Sequence, residues 1–154
     1  MTNATKTSSV TQAPSVAERE RTPEILIAEE YFRSFNENQF EQTAALFDEA
    51  GALIPPFDSP EVGRQAIQAY LEKEASRVTA FPEQWESHPA EAGSTQITIT
   101  GKVNAVVFKV NVAWFFTISN KGSNEAADTK IQKVRVKLLA SPAELLGLRT
   151  PAEK

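Results

Sequence analysis

Apolar residues recur at helical spacing in the first half of the chain and at alternate positions in the second. Ile25, Ala28, Phe32 and Phe35 fall on one helical face, with Tyr31 beside Ala28 and Phe35. Thr22 fits an N-cap, Pro23 the first helical position, and Glu24 the positive helix end. The stretch Asn36–Asn38 breaks this helix. Asn38 is then expected to cap a second one, with Glu41 completing a capping box and Phe40, Ala44 and Phe47 forming its stripe. Ala52–Ile54 predicts a short strand that Pro55 and Pro56 end, because proline cannot donate to a ladder. Ser59 as cap and Pro60 behind it predict a third helix, whose apolar face is Val62, Ala66, Ile67, Tyr70 and Leu71.

From Phe81 onward the period becomes two. Ile97, Ile99 and Val103 alternate with Thr98, Thr100 and Lys102, the pattern of a half-buried strand. Ala105–Ser119 reads as one long strand with Val106, Phe108, Val110, Val112, Trp114 and Phe116 on a single face. The turn NKGSNEAAD follows. In the last strand Val134, Val136 and Leu138 alternate with Lys133, Arg135 and Lys137, which turns the cations to solvent or to a partner. Ser141, Pro142 and Glu144 are expected to cap a short final helix containing Leu145, Leu146 and Leu148. Three helices followed by an antiparallel meander give the α+β class: a curved, antiparallel-dominated sheet wrapped around N-terminal helices, enclosing a central apolar cavity. Residues 1–21, rich in Thr, Ser and Ala and without an aromatic residue, are expected to be a flexible tail, and residues 22–150 a single domain.

Composition narrows the function classes. The chain has 154 residues, 41% of them apolar, enough to bury a sizeable core. Its formal charge of −4 argues against binding nucleic acid through phosphate contacts. With no cysteine, disulfide scaffolds, thiol nucleophiles and Cys-ligated zinc are excluded. No run reaches the roughly 18 apolar residues a membrane span needs, and the N-terminal segment lacks the apolar core of a secretory signal. A cytoplasmic location is expected.

Enzymes with a cone-shaped α+β fold place an acid or a histidine inside the cavity as a general base. Here the inward-facing strand positions are aliphatic or aromatic. His88, the only histidine, sits in WESHPAEAGS and is expected on an exposed loop or hairpin. No metal-ligand cluster, phosphate loop or nucleophile elbow is present, and Gly63 is a lone glycine at a helix start. The cavity therefore reads as a container. Tyr31 and Trp114 each pair an apolar body with one donor, an O–H or an indole N–H. The residues alone leave both roles open: satisfied core aromatics, or donors to a ligand.

The stretches YFRSFNENQFEQTAALF, GALIPPFDSPEVGRQAI, GSTQITITGKV, NVAWFF and VKLLASPAELLGLR span about residues 25–149. In content, order and spacing they resemble the C-terminal domain of the cyanobacterial orange carotenoid protein family and its free-standing C-terminal-domain homologues, which have a nuclear-transport-factor-two-like fold. The resemblance implies a ketocarotenoid of the echinenone or canthaxanthin type and no metal. It implies that Tyr31 and Trp114 donate hydrogen bonds to the keto oxygen. The expected apolar lining is Phe35, Ile67, Leu71, Val78, Val106, Phe108, Val110, Val112, Phe116, Val134 and Val136. Glu74 matches a glutamate that in the two-domain photoprotein bridges to an arginine of the N-terminal domain, a domain this chain lacks.

The implied function is non-enzymatic: storing a carotenoid, quenching singlet oxygen or excitation in photoprotection, and passing the pigment to a helical acceptor or N-terminal-domain homologue. Implied partners are a second copy sharing one pigment and, for uptake, a transient membrane contact. Two departures stand out: between GKV and NVAW the chain has only NAVVFKV, without the family's extra tryptophan, and it lacks the cysteine that links dimers in some homologues. The competing readings are an isomerase- or dehydratase-like enzyme of the same fold, favoured by an acid or histidine inside the cavity, and a ligand-free interaction module, favoured by a cavity plugged with its own side chains.

Overall fold

The computed structural model describes residues 22–90, 93–106, 108–119 and 128–139. Helix α1 (Pro23–Asn36) begins as its sequence predicts: Thr22 Oγ1 accepts from Ile25 N at 3.2 Å, and Pro23 occupies the first turn. Its inward face carries Ile25, Ala28, Tyr31 and Phe32, all buried. The far end of α1 is tied to the sheet by Asn36. Its Nδ2 donates to the Ala80 carbonyl at 2.9 Å while its Oδ1 accepts from Ala80 N at 2.8 Å.

Two helix starts differ from expectation. Asn38 does not cap α2 (Phe40–Ala45). It adopts φ 60° in the intervening turn, a left-handed conformation that asparagine tolerates, and its Nδ2 donates to the Ser76 carbonyl at 3.3 Å. Gln39 precedes the helix without a side-chain cap. Phe47, expected on that helix, opens strand β1 (Phe47–Ile54), which is longer than the three residues anticipated and ends at Pro55. Ser59 and Pro60 likewise do not start a helix. Glu61–Val62 form the short strand β2 against Ala52 and Leu53, leaving Val62 exposed. Gly63, at φ 95°, then turns the chain into α3 (Arg64–Glu74). Pairing with the free edge of β1 outweighs the local capping signal there.

The sheet is completed by β3 (Val78–Pro89), β4 (Ser94–Ala105), β5 (Phe108–Ser119) and β6 (Lys130–Leu139). Strand order is β2-β1-β6-β5-β4-β3, antiparallel at every pairing except the parallel pair β1–β6. Alternation begins at Val78, three residues before Phe81. The expected long strand starts later than read, because β4 runs through Ala105 and Val106 lies in the turn to β5 with φ 52°. The expected turn NKGSNEAAD lies outside the described residues except for Asp128. The N-terminal tail and the final helix lie outside them altogether. The inner face of the sheet, with Ile97, Ile99, Val112, Trp114, Phe116, Ile118, Ile131 and Val134, packs against α1, α2 and α3 in a single core.

Candidate functional site

A cavity of about 200 Å³ opens between the helices and one end of the sheet. From α1 come Tyr31 and Phe35, from the end of β1 Leu53, Pro55 and Pro56, and from α3 Tyr70, Leu71 and Glu74 with Ala75 behind it. The strands add Val78 and Ala80 of β3, Val103 of β4, Trp114 of β5, and Val136 and Leu138 of β6. Topology dictates this assembly. The C-terminal ends of β1, β6 and β4 and the N-terminal ends of β5 and β3 meet at the same end of the sheet. The lining is hydrocarbon apart from two phenols, one indole and the exposed Glu74 carboxylate.

Tyr31 and Trp114 are held through Phe32. The Phe32 ring meets Trp114 edge-on at 4.9 Å and Tyr31 at 5.3 Å, and Tyr31 also meets Phe116 edge-on at 5.1 Å and stacks on Phe35 at 5.9 Å. Exposure is 2% for Tyr31 and 4% for Trp114. Among the described residues neither the Tyr31 hydroxyl nor the Trp114 indole N–H has a protein hydrogen-bond partner. Buried donors are ordinarily satisfied, so two of them lining one cavity is an unusual arrangement. Burial, and secondarily the negative charge Tyr70 would carry if ionised, push the Tyr31 hydroxyl far above the usual phenol range, so it stays a donor. Tyr70 is raised too, by burial first and then by its 3.0 Å hydrogen bond to Asp58.

Of the other residues singled out in the sequence, Phe35, Leu71, Val78 and Val136 line this cavity. Ile67, Val112, Phe116 and Val134 lie in the solid core behind the lining, essentially without exposure. Val110 is half-buried against the core, opposite the lining residue Val103, and does not itself line the cavity. Val106, on its turn, is 69% exposed. The Phe108 side chain lies outside the described residues. His88 is on β3, exposed, with Nε2 at 3.4 Å from Glu86 Oε1. Sequence reasoning missed Leu53, Pro55, Pro56 and Val103 as lining residues, and likewise Tyr70, Ala75, Ala80 and Leu138. Proline pairs after a strand read as terminators, and nothing local says that a terminator also walls a cavity.

The mouth end carries exposed apolar groups. Phe57, next to the two lining prolines, is 82% exposed, and Leu138 and Leu139 at the end of β6 are each more than a third exposed. Among the described residues there is no group of His, Asp and Glu fit for a metal ion, and no helix long and apolar enough to cross a membrane.

Residues 27–126 match the nuclear transport factor 2 (NTF2) domain. The chain is 37% identical over 123 residues to the orange carotenoid-binding protein of Limnospira maxima and 38% identical over 121 residues to that of Synechocystis sp., covering 77% and 76% of this chain. It spans 37% and 36% of those two relatives. Among solved structures it is similar to the orange carotenoid protein of Anabaena (Nostoc) sp. binding canthaxanthin, with TM-score 0.67 and 36% identity over 79% of this chain and 38% of that one. The fold, the cavity beneath the sheet and these similarities agree: the chain belongs to the nuclear transport factor 2 domain family, and its relatives within that family include the orange carotenoid proteins.

Proposed function

We propose that this protein holds one end of a ketocarotenoid, with the ring in the apolar cavity and the keto oxygen accepting hydrogen bonds from Tyr31 and Trp114. The observation that carries this reading is the pair of buried donors without acceptors among the described residues, in a cavity lined mainly by hydrocarbon. A carbonyl ligand relieves both; an unsubstituted hydrocarbon ring relieves neither. The resemblance to a structure described as binding canthaxanthin supports the same ligand class.

Affinity on this reading comes from burial. A few hundred Å² of ring and polyene, at about 25 cal/mol per Å², supply on the order of 5–10 kcal/mol before association costs. Each neutral hydrogen bond adds about 1 kcal/mol and fixes the ring's orientation. Donation to the carbonyl also draws electron density along the conjugated chain, which shifts absorption to the red. Catalysis is not part of the proposal. The single carboxylate of the lining, Glu74, is exposed at the rim rather than enclosed beside the two donors.

A cavity of about 200 Å³ lies below the roughly 300–1,000 Å³ of sites that enclose a whole drug-sized ligand. The remainder of the pigment thus needs a second apolar wall. A second copy, mouth to mouth, provides one through Phe57, Leu138 and Leu139, and release into a helical acceptor domain would exchange that wall for another. Storage, transfer and photoprotective quenching are the uses this arrangement serves.

The test is reconstitution with canthaxanthin, echinenone and β-carotene, followed by absorption spectra. The keto pigments should bind with a red shift, β-carotene weakly and without it. Equal binding and equal spectra for all three would overturn the role of the two donors.

A further inference from the structure

Strand β6 has two working faces. Val134, Val136 and Leu138 look inward, so Lys133, Arg135 and Lys137 stand on the outer face, all three exposed. Alternate residues on one strand are about 6.6–6.8 Å apart, so the three cations form a straight row. Register sets Thr117 against Lys133, Phe115 against Arg135, and Gln96 against Thr117. Together these six side chains line a recess of about 300 Å³ on the outside of the sheet, with half-buried Phe115 among the cations.

Among the described residues no carboxylate lies within 4.0 Å of any of the three cations. Glu83 and Glu86, on the far edge strand β3, are engaged elsewhere: Glu83 takes Lys102 at 3.5 Å and Glu86 lies beside His88. Three like charges at successive same-face positions repel one another, in a chain whose formal charge is −4.

We propose that this recess docks an extended acidic segment of a partner protein, with carboxylates at alternate positions. An extended peptide repeats its same-face side chains at the same spacing as β6, so successive carboxylates meet successive cations. Its backbone cannot add to the sheet, because β6 is an interior strand flanked by β1 and β5, so recognition is by side chains alone. A flat anionic membrane fits the surface less well: it would press on Glu83 and Glu86 across the sheet, whereas a linear segment following β6 avoids them. The site lies on the opposite face from the cavity and goes beyond the pigment reading. It is tested on pigment-free protein.

The probe is fluorescein-labelled acetyl-Glu-Val-Glu-Val-Glu-amide, compared with the isomer Glu-Glu-Glu-Val-Val, by fluorescence anisotropy. The alternating peptide should bind saturably, more weakly as salt is raised. Affinity should fall about tenfold for the isomer and for a Lys133→Gln/Arg135→Gln/Lys137→Gln variant. That variant should keep its thermal unfolding midpoint, since all three side chains are solvent-facing, and backbone amide shifts in the wild type should map to Phe115, Thr117 and β6. No binding, equal binding of both isomers, undiminished binding by the variant, or shifts elsewhere would each overturn the proposal. Cation-dependent sedimentation with phosphatidylglycerol vesicles in the absence of peptide binding would overturn it in favour of a lipid surface.

Discussion

Tyr31 gives opposite signs in two measurements, and that separates a ligand donor from a packed core aromatic. A buried hydroxyl without a partner costs free energy in the empty protein, so Tyr31→Phe should raise apo stability, by about 1 kcal/mol in thermal or denaturant unfolding. The same change should blue-shift bound canthaxanthin and weaken its binding by about 1 kcal/mol. Trp114→Ala also removes a large buried ring and should cost about 3–5 kcal/mol in the apo protein. Alkaline pH offers a further check. Tyr31 and Tyr70 both resist ionisation in the folded state, whereas in the unfolded chain they ionise near about pH 10. Above that pH the unfolded state has released protons the folded state still holds, so stability should fall as pH rises and be fully present below it. Replacing either tyrosine with phenylalanine should flatten the slope of unfolding free energy against pH. The chemistry of Tyr31 and Trp114 was visible in the sequence as two polar-tipped aromatics on apolar faces. Their lack of a partner among the described residues was not, because that depends on which side chains from five other elements surround them.

Secondary elements were most legible where one local signal acted alone. Thr22-Pro23 marks the start of α1, and strict alternation marks β4 and β6, because in both cases burial and backbone preference agree. Legibility failed where a distant partner competed. Ser59-Pro60 has the form of a helix start, yet the next residues pair with β1, which the local sequence does not announce. Similarly, Val106 continues an apolar alternation and still becomes the turn, because the hairpin register sets Ala105 opposite Phe108. One glycine shows how closely the strands approach. A Cβ on Gly101 would lie 2.1 Å from the Phe81 carbonyl oxygen and 3.0 Å from Glu83 N, where β3 bulges between Pro82 and Gln84. Gly101→Ala should therefore destabilise the protein by about 1–3 kcal/mol. Val103, two residues on, lines the cavity, so the same variant should also bind pigment more weakly.

For the whole molecule, a cavity open at one end of the sheet predicts assembly coupled to loading. Holo protein should elute from a sizing column as a dimer with one pigment per two chains. Phe57→Ser should lower the dimer fraction and leave the apo unfolding midpoint nearly unchanged, because that ring is 82% exposed. A tightly loaded monomer would refute the shared-pigment arrangement. The cavity's walls also come from distant parts of the chain: Leu53 and Pro55 adjoin Val136 and Leu138 through the one parallel pairing, β1 with β6. Joining strands so far apart in sequence closes a long loop, and contacts of that kind form late in folding. During synthesis, β1 leaves the ribosome long before β6, its parallel partner, does. A nascent chain that has not yet made β6 therefore has no finished pocket to fill, so under the proposed function a pigment can be taken up only once β6 has joined the sheet.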